Sequence, residues 1–175
     1  MNSQGAFRYS LPFLALTACA SPPLQTAVPA NLVPTGERQV ERLSARGLQT
    51  YECRATPGDA SRAAWVYVAA ALELRDANDK PAGRHTFPPP VWEAPDGSKF
   101  AGTQKARADA PEAGAAPWLL VSTKSTGAEG RFAKITSLQR VNTKGGVAPA
   151  GGCDVKAIGK KEKVPLSADL ILFSG

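Results

Sequence analysis

The chain is poor in the residues that carry most protein chemistry. Its 175 residues include one histidine, one methionine and three cysteines. A single histidine excludes a histidine-rich metal site, and any Ser-His-Asp triad would have to be built around it. The patterns Gly-x-Gly-x-x-Gly, Walker A, His-Glu-x-x-His and Gly-x-Ser-x-Gly are missing, so neither a dinucleotide fold, a P-loop, a zincin nor a hydrolase elbow is supported. No apolar run approaches the ~20 residues that span a bilayer as a helix. Basic residues outnumber acidic ones, 21 to 15, but they are scattered. The one cluster, Lys160 to Lys163, contains Glu162. Nucleic acid is therefore not an expected partner. Glycine (16) and proline (15) are too frequent for a helical bundle, because both break helix interiors.

What the N-terminus does contain has the layout of a signal peptide. Arg8 supplies positive charge, Leu11 to Ala18 is a short apolar run, and no acidic residue precedes Glu37. Leu16-Thr17-Ala18-Cys19 resembles a bacterial lipobox, in which the cysteine is acylated and becomes the first mature residue. A plain secretory signal and a chance apolar start are the rival readings. The expected organisation is a lipoprotein signal over 1–18, a Pro-rich tether over 19–34 beginning at lipidated Cys19, and a single β-rich domain over 35–175. Ala20, a residue other than Asp after the cysteine, favours the outer membrane. Cleavage removes Arg8 and lowers the formal charge from +6 to +5.

Cys53 and Cys153 remain, 100 residues apart. In an oxidising compartment such a pair normally forms a disulfide. Two free thiols or a metal pair are the alternatives; neither cysteine has a Cys-x-x-Cys neighbour or a nearby histidine, so a zinc site is not expected. Local patterns read mostly as strands. Leu48 to Cys53, Ala64 to Val68, Leu72 to Arg75, Arg84 to Phe87, Trp118 to Ser122 and Ala168 to Phe173 have β-rich or alternating composition. Asp96-Gly97 marks a hairpin. Phe132 to Val141 reads as a bulged strand or a short helix. Glu37 to Arg46 reads as a helix or as an irregular strand. The fold class expected is all-β, a sandwich or small barrel of roughly 8–10 short strands with one disulfide.

A collinear series of motifs carries a family resemblance. It runs Tyr51-x-Cys53, Gly83-x-His85, Trp92-Glu93-x-x-Asp96-Gly97-Ser98, Pro117-Trp118-Leu119-Leu120, Gln139 to Thr143 with Gly145-Gly146-x-Ala148-Pro149, Cys153-Asp154, and Val164-Pro165-x-Ser167-Ala168-Asp169. The series resembles the domain-of-unknown-function family numbered 3455, over roughly residues 35–173. The resemblance implies an exported β-rich domain and supplies no activity. Two positions depart from the family. Phe87-Pro88-Pro89-Pro90-Val91-Trp92 stands where a Gly-Pro-Thr-Trp type run is usual, which can alter a pocket near His85. Leu166 and Leu170 stand where aromatic residues are usual, which reads as a core substitution.

The candidate ligand-binding residues are His85, Trp92, Glu93, Asp96, Arg140 and Asn142. An aromatic face with carboxylates can hold a sugar or a cation, whereas the plainer reading packs Trp92 in the core and leaves Asp96 to shape the turn. In an extended Gln139 to Thr143, Arg140 and Asn142 share a face and can bind an anion or brace the next loop. The functional expectation is a lipid-anchored cell-envelope protein with a binding or structural β domain. Its partners would be the membrane through Cys19 and a small-molecule, glycan or protein ligand, with no cofactor and no metal. The alternative is a small exported enzyme, hydrolytic in type, using His85 with Asp96 or Glu93.

Overall fold

The structure is a computed structural model and describes residues 27–175. The expectations for the signal and for Cys19 lie outside the described residues. Eight antiparallel strands close into a barrel in which each strand pairs with its sequence neighbours and β8 returns to β1. They are β1 Arg38–Thr56, β2 Asp59–Arg75, β3 Pro81–Phe87, β4 Val91–Glu93, β5 Lys99–Ala108, β6 Trp118–Ser125, β7 Ser137–Gly145 and β8 Lys161–Ser174.

The all-β expectation holds, and of the two architectures it is the barrel. The count of eight lies at the low end because adjacent segments merge. Ala64 to Val68 and Leu72 to Arg75 are one continuous β2. In the segment Glu37 to Arg46, for which a helix is one reading, β1 begins at Arg38 and pairs with β8 from there and with β2 as well from Ser44. The ladder with β8, joined by β2 from Ser44, takes up the backbone groups a helix would have used and overrides the weak i, i+3 pattern. At Gly47 the strands approach so closely that a Cβ would lie 2.1 Å from Ala71 O. Only glycine fits there.

Period-2 alternation sorts the side chains. Leu43, Ala45, Leu72, Leu74, Leu138, Leu166, Leu170 and Leu172 point inward and form one buried cluster. Arg42, Arg46 and Glu73 alternate with them on the outside. This is the reverse of a membrane-spanning barrel, whose apolar band faces lipid. Among the described residues no helix is long and apolar enough to cross a membrane.

The two ends of the barrel differ. At one end the segment 126–136, between β6 and β7, folds over the opening and inserts Phe132, which is fully buried. Its backbone is held by the Asp96-Gly97 hairpin: Arg131 N–H donates to Asp96 Oδ2 at 2.8 Å, and Phe132 N–H donates to Ser98 Oγ at 2.9 Å. The Arg131 guanidinium pairs with Glu41. Leucines fill this half to the core. The other end carries the long β5–β6 and β7–β8 loops and stays open.

The β7–β8 loop, 146–160, is fastened to the barrel rim. Cys53 of β1 forms a disulfide with Cys153, with Cα atoms 5.4 Å apart. Tyr51 Oη donates to Gly146 O at 2.8 Å, and Trp65 Nε1 donates to Gly151 O at 2.9 Å. Outside the barrel, the last part of the expected tether is docked. Leu32 is fully buried against Trp118, Leu120, Val141 and Ile171, which form a second apolar cluster on the outer face. Gln139 Nε2 donates to Leu32 O at 2.5 Å, and Asn31 Nδ2 donates to Arg107 O at 3.1 Å. This strap runs from Arg107 at the open end to Glu37, which accepts from Ser137 Oγ at 2.8 Å at the closed end.

Candidate functional site

The open half of the barrel encloses a cavity of about 680 Å³. That lies within the size range of small-molecule sites, roughly 300–1,000 Å³. Its wall is mostly apolar and aromatic, contributed by all eight strands and by the 146–148 turn. The floor is Trp92, from which an aromatic stack runs down into the closed half. His85 stacks on Trp92 with centroids 4.1 Å apart, Trp92 on Phe100 at 5.3 Å, and Phe100 meets Phe132 at 5.4 Å. Near the mouth Tyr67 lies 5.8 Å from Tyr51 and stacks on Phe87 at 4.8 Å. Gly102 opposite the floor leaves room for the indole; a Cβ there would meet Trp92 at 2.7 Å.

Polar groups are few in this wall. His85 is buried, and its Nδ1 lies 3.0 Å from Val91 O. Burial pushes its pKa down to about 4, so the imidazole is neutral at pH 7. Nδ1–H donation to Val91 O then leaves Nε2 as an acceptor. Arg140 projects inward from β7 between Leu119 and Leu170, its partners across the sheet. One of its Nη atoms donates to Pro117 O at 2.8 Å, which braces the β5–β6 loop. Its Nε is buried with no partner within the protein. Burial draws the guanidinium below its ordinary pKa, and the Tyr67 and Tyr51 hydroxyls partly oppose that. An arginine starts so high that it stays cationic. Burial raises both tyrosines, with Arg140 pulling the other way, so they are neutral donors. Gln49 Oε1 and Trp92 Nε1 are likewise buried without partners. The second arginine of the wall, Arg107, stands at the mouth with an exposed side chain. Among the described residues no Asp or Glu lines the cavity.

Of the six candidate residues, the fold brings together His85, Trp92 and Arg140. Glu93 pairs with Arg84 across β3 and β4, with Nη2 to Oε2 at 2.7 Å, on the other face of the strand that carries Trp92. Asp96 lies in the hairpin at the closed end, where Arg131 N–H, Ser98 Oγ and Ser98 N–H hold its carboxylate. Those bonds lower its pKa to about 2. Asn142 does not share a face with Arg140 as an unbroken strand would require. Its φ is 51°, the β7–β8 register slips between Val141 and Lys144, and its amide donates to Asp169 Oδ2 at 2.7 Å on the outside. The His85–Asp96 and His85–Glu93 pairs required for the enzymatic alternative are therefore not formed. Among the described residues no cluster of three metal-ligating side chains occurs.

Among the polar wall residues that escaped the sequence reading are Gln49, Tyr51, Tyr67, Thr103, Gln104 and Arg107. Gln49 had a detectable signal, since it continues the inward register of Leu43, Ala45 and Gly47 with a polar side chain. Tyr67 had none, because an extra residue in β2, Val68 opposite Thr50–Tyr51, breaks the phase between it and the inward run Ala70, Leu72, Leu74.

Residues 34–174 match the family model described as "Protein of unknown function (DUF3455)". No curated protein and no solved structure matches the chain.

Proposed function

The chain belongs to the DUF3455 family, whose description assigns no activity, and from that premise we propose that it is an exported, lipid-anchored binding protein that holds a small, largely apolar molecule inside its barrel. The observation that carries the reading is the 680 Å³ cavity, closed below by a packed core and lined by aromatic and aliphatic side chains with a few convergent polar groups. Glycan binding fits less well, because sugars need many hydrogen-bonding partners and the wall offers few. Catalysis lacks its carboxylate partner for His85.

The envelope location is supported by the signal-like N-terminus, the lipobox-like Leu16 to Cys19, and the Cys53–Cys153 disulfide, which suits an oxidising compartment. The binding reading is tested with N-phenyl-1-naphthylamine, a neutral apolar fluorophore. A saturable rise in emission at one probe per chain is expected, with energy transfer from tryptophan. A linear, unsaturable signal would refute it. The anchor is tested by mass spectrometry and membrane fractionation of wild type against Cys19→Ala. Loss of an acyl mass and release from the membrane are expected; identical behaviour would refute it.

A further inference from the structure

We infer that the molecule held in the barrel is an amphipathic monocarboxylate, seated with its carboxylate against Arg140 and its apolar part over Trp92 and the leucine floor. The inference rests on the binding reading above and names the ligand class.

Charge balance carries it. Three arginines of the outer surface and the plug meet acids on other elements: Arg131 meets Glu41, Arg42 meets Asp169 at 2.6 Å, and Arg84 meets Glu93. Arg140 instead projects into the barrel, where no carboxylate among the described residues lines the wall. A desolvated cation without a counter-charge is costly, so an anion supplied from outside gains more here than at any surface arginine. The side chain is already positioned, with one Nη tied to Pro117 O and Nε–H unpartnered. Tyr67 adds a neutral hydroxyl that can donate from the same wall. A guanidinium presents a planar fork that matches a carboxylate edge to edge.

The remainder of the cavity sets the other end of the ligand. Beyond Arg140 the wall turns to Leu138, Leu170, Trp92 and Leu72, none of which offers charge. A dianion would face one buried cation only, whereas a monoanion is matched. Arg107 stands at the mouth along the way in, its guanidinium 3.9 Å from the exposed Asp109 carboxylate, which offsets part of its charge.

The experiment displaces bound N-phenyl-1-naphthylamine from the full protein with dodecanoate, dodecanol and dodecylamine, three ligands of one length and three charge states. Dodecanoate is expected to displace the probe at a concentration at least about tenfold below dodecanol, since a hydrogen bond to a charged partner is worth that much or more. Dodecylamine is expected to be the weakest. Arg140→Met, whatever its own affinity for the probe, is expected to bring the displacing concentrations of acid and alcohol to within about twofold of each other. Equal potency of acid and alcohol in the wild type overturns the head-group assignment and leaves the binding reading standing. A preference for the acid that survives in Arg140→Met overturns Arg140 as its seat. No probe binding by the wild type overturns both readings. The wild-type series needs no variant, so misfolding of Arg140→Met does not remove the test.

Discussion

Acidification from pH 7 to pH 5 acts on one histidine, His85, because the chain has no other. Folded, its pKa is about 4. Unfolded, it is near 6.5. The folded value is the depressed one, so the unfolded chain takes up the proton first. The stability that comes from keeping the imidazole neutral is complete above pH ~6.5, declines as pH falls through the interval to about 4, and levels off below it. Linkage puts the loss at about 2 kcal/mol between pH 7 and pH 5, and at about 3 kcal/mol once the interval is crossed. With a urea slope of roughly 2 kcal/mol per molar, the unfolding midpoint drops by about 1 M on going to pH 5. Urea titrations followed by far-ultraviolet circular dichroism at pH 7, 6 and 5 measure it. His85→Gln retains an amide that can donate to Val91 O and removes the titration, so its midpoint is expected to be nearly level over that interval. A level wild-type midpoint, or an equal drop in His85→Gln, would refute the burial argument.

Two further outcomes follow from the division of the barrel into a packed and a hollow half. Phe132→Ala removes a fully buried ring from the closed end and is expected to cost about 3–5 kcal/mol in thermal or urea unfolding, with probe affinity at the mouth retained at 25 °C. Unchanged stability would contradict its role as the plug. Replacing Cys53 and Cys153 together with alanine releases a 100-residue closure. The expected loss is up to about 4.7 kcal/mol in the chain-entropy model, along with faster probe dissociation as the 146–160 loop loosens. Stopped-flow release at the wild-type rate would argue that the loop does not guard the mouth.

Much of the barrel was legible because its inward positions are leucine and alanine in strict alternation, as at Leu72–Leu74 and Leu166–Leu172. The Asp96-Gly97 hairpin was legible from turn chemistry alone; Gly97 has a φ of 81°. Its second task was not, since nothing local announces that Asp96 and Ser98 will hold Arg131 and Phe132 more than thirty residues away. The site was legible where the alternation is unbroken, at Arg140, and misread where it breaks. Asn142 lies within a slip in register, and Tyr67 is cut off from the inward run of β2 by the extra Val68. A period-2 reading has no means of detecting an inserted residue, and each insertion exchanges inside for outside. Glu93 was misread for a related reason: it neighbours Trp92 in sequence and therefore faces away from it.

The strap along the outer wall has a consequence for orientation. Asn31 is bonded to the backbone of Arg107, a residue of the mouth, and the chain then runs toward the closed end before β1 begins. The described chain therefore begins on the mouth side. Cys19 lies nine residues upstream of Val28, a span of at most about 30 Å of extended chain. An acyl anchor at Cys19, as proposed above, would join the barrel on the side of its mouth and not at its plugged end. The loop at that rim carries Val147, Val155 and Ile158, three of the exposed large apolar side chains. With the anchor on that side, a carboxylate amphiphile leaving Arg140 would emerge on the anchored side, and the short leash would serve as the guide for cargo as well as the attachment.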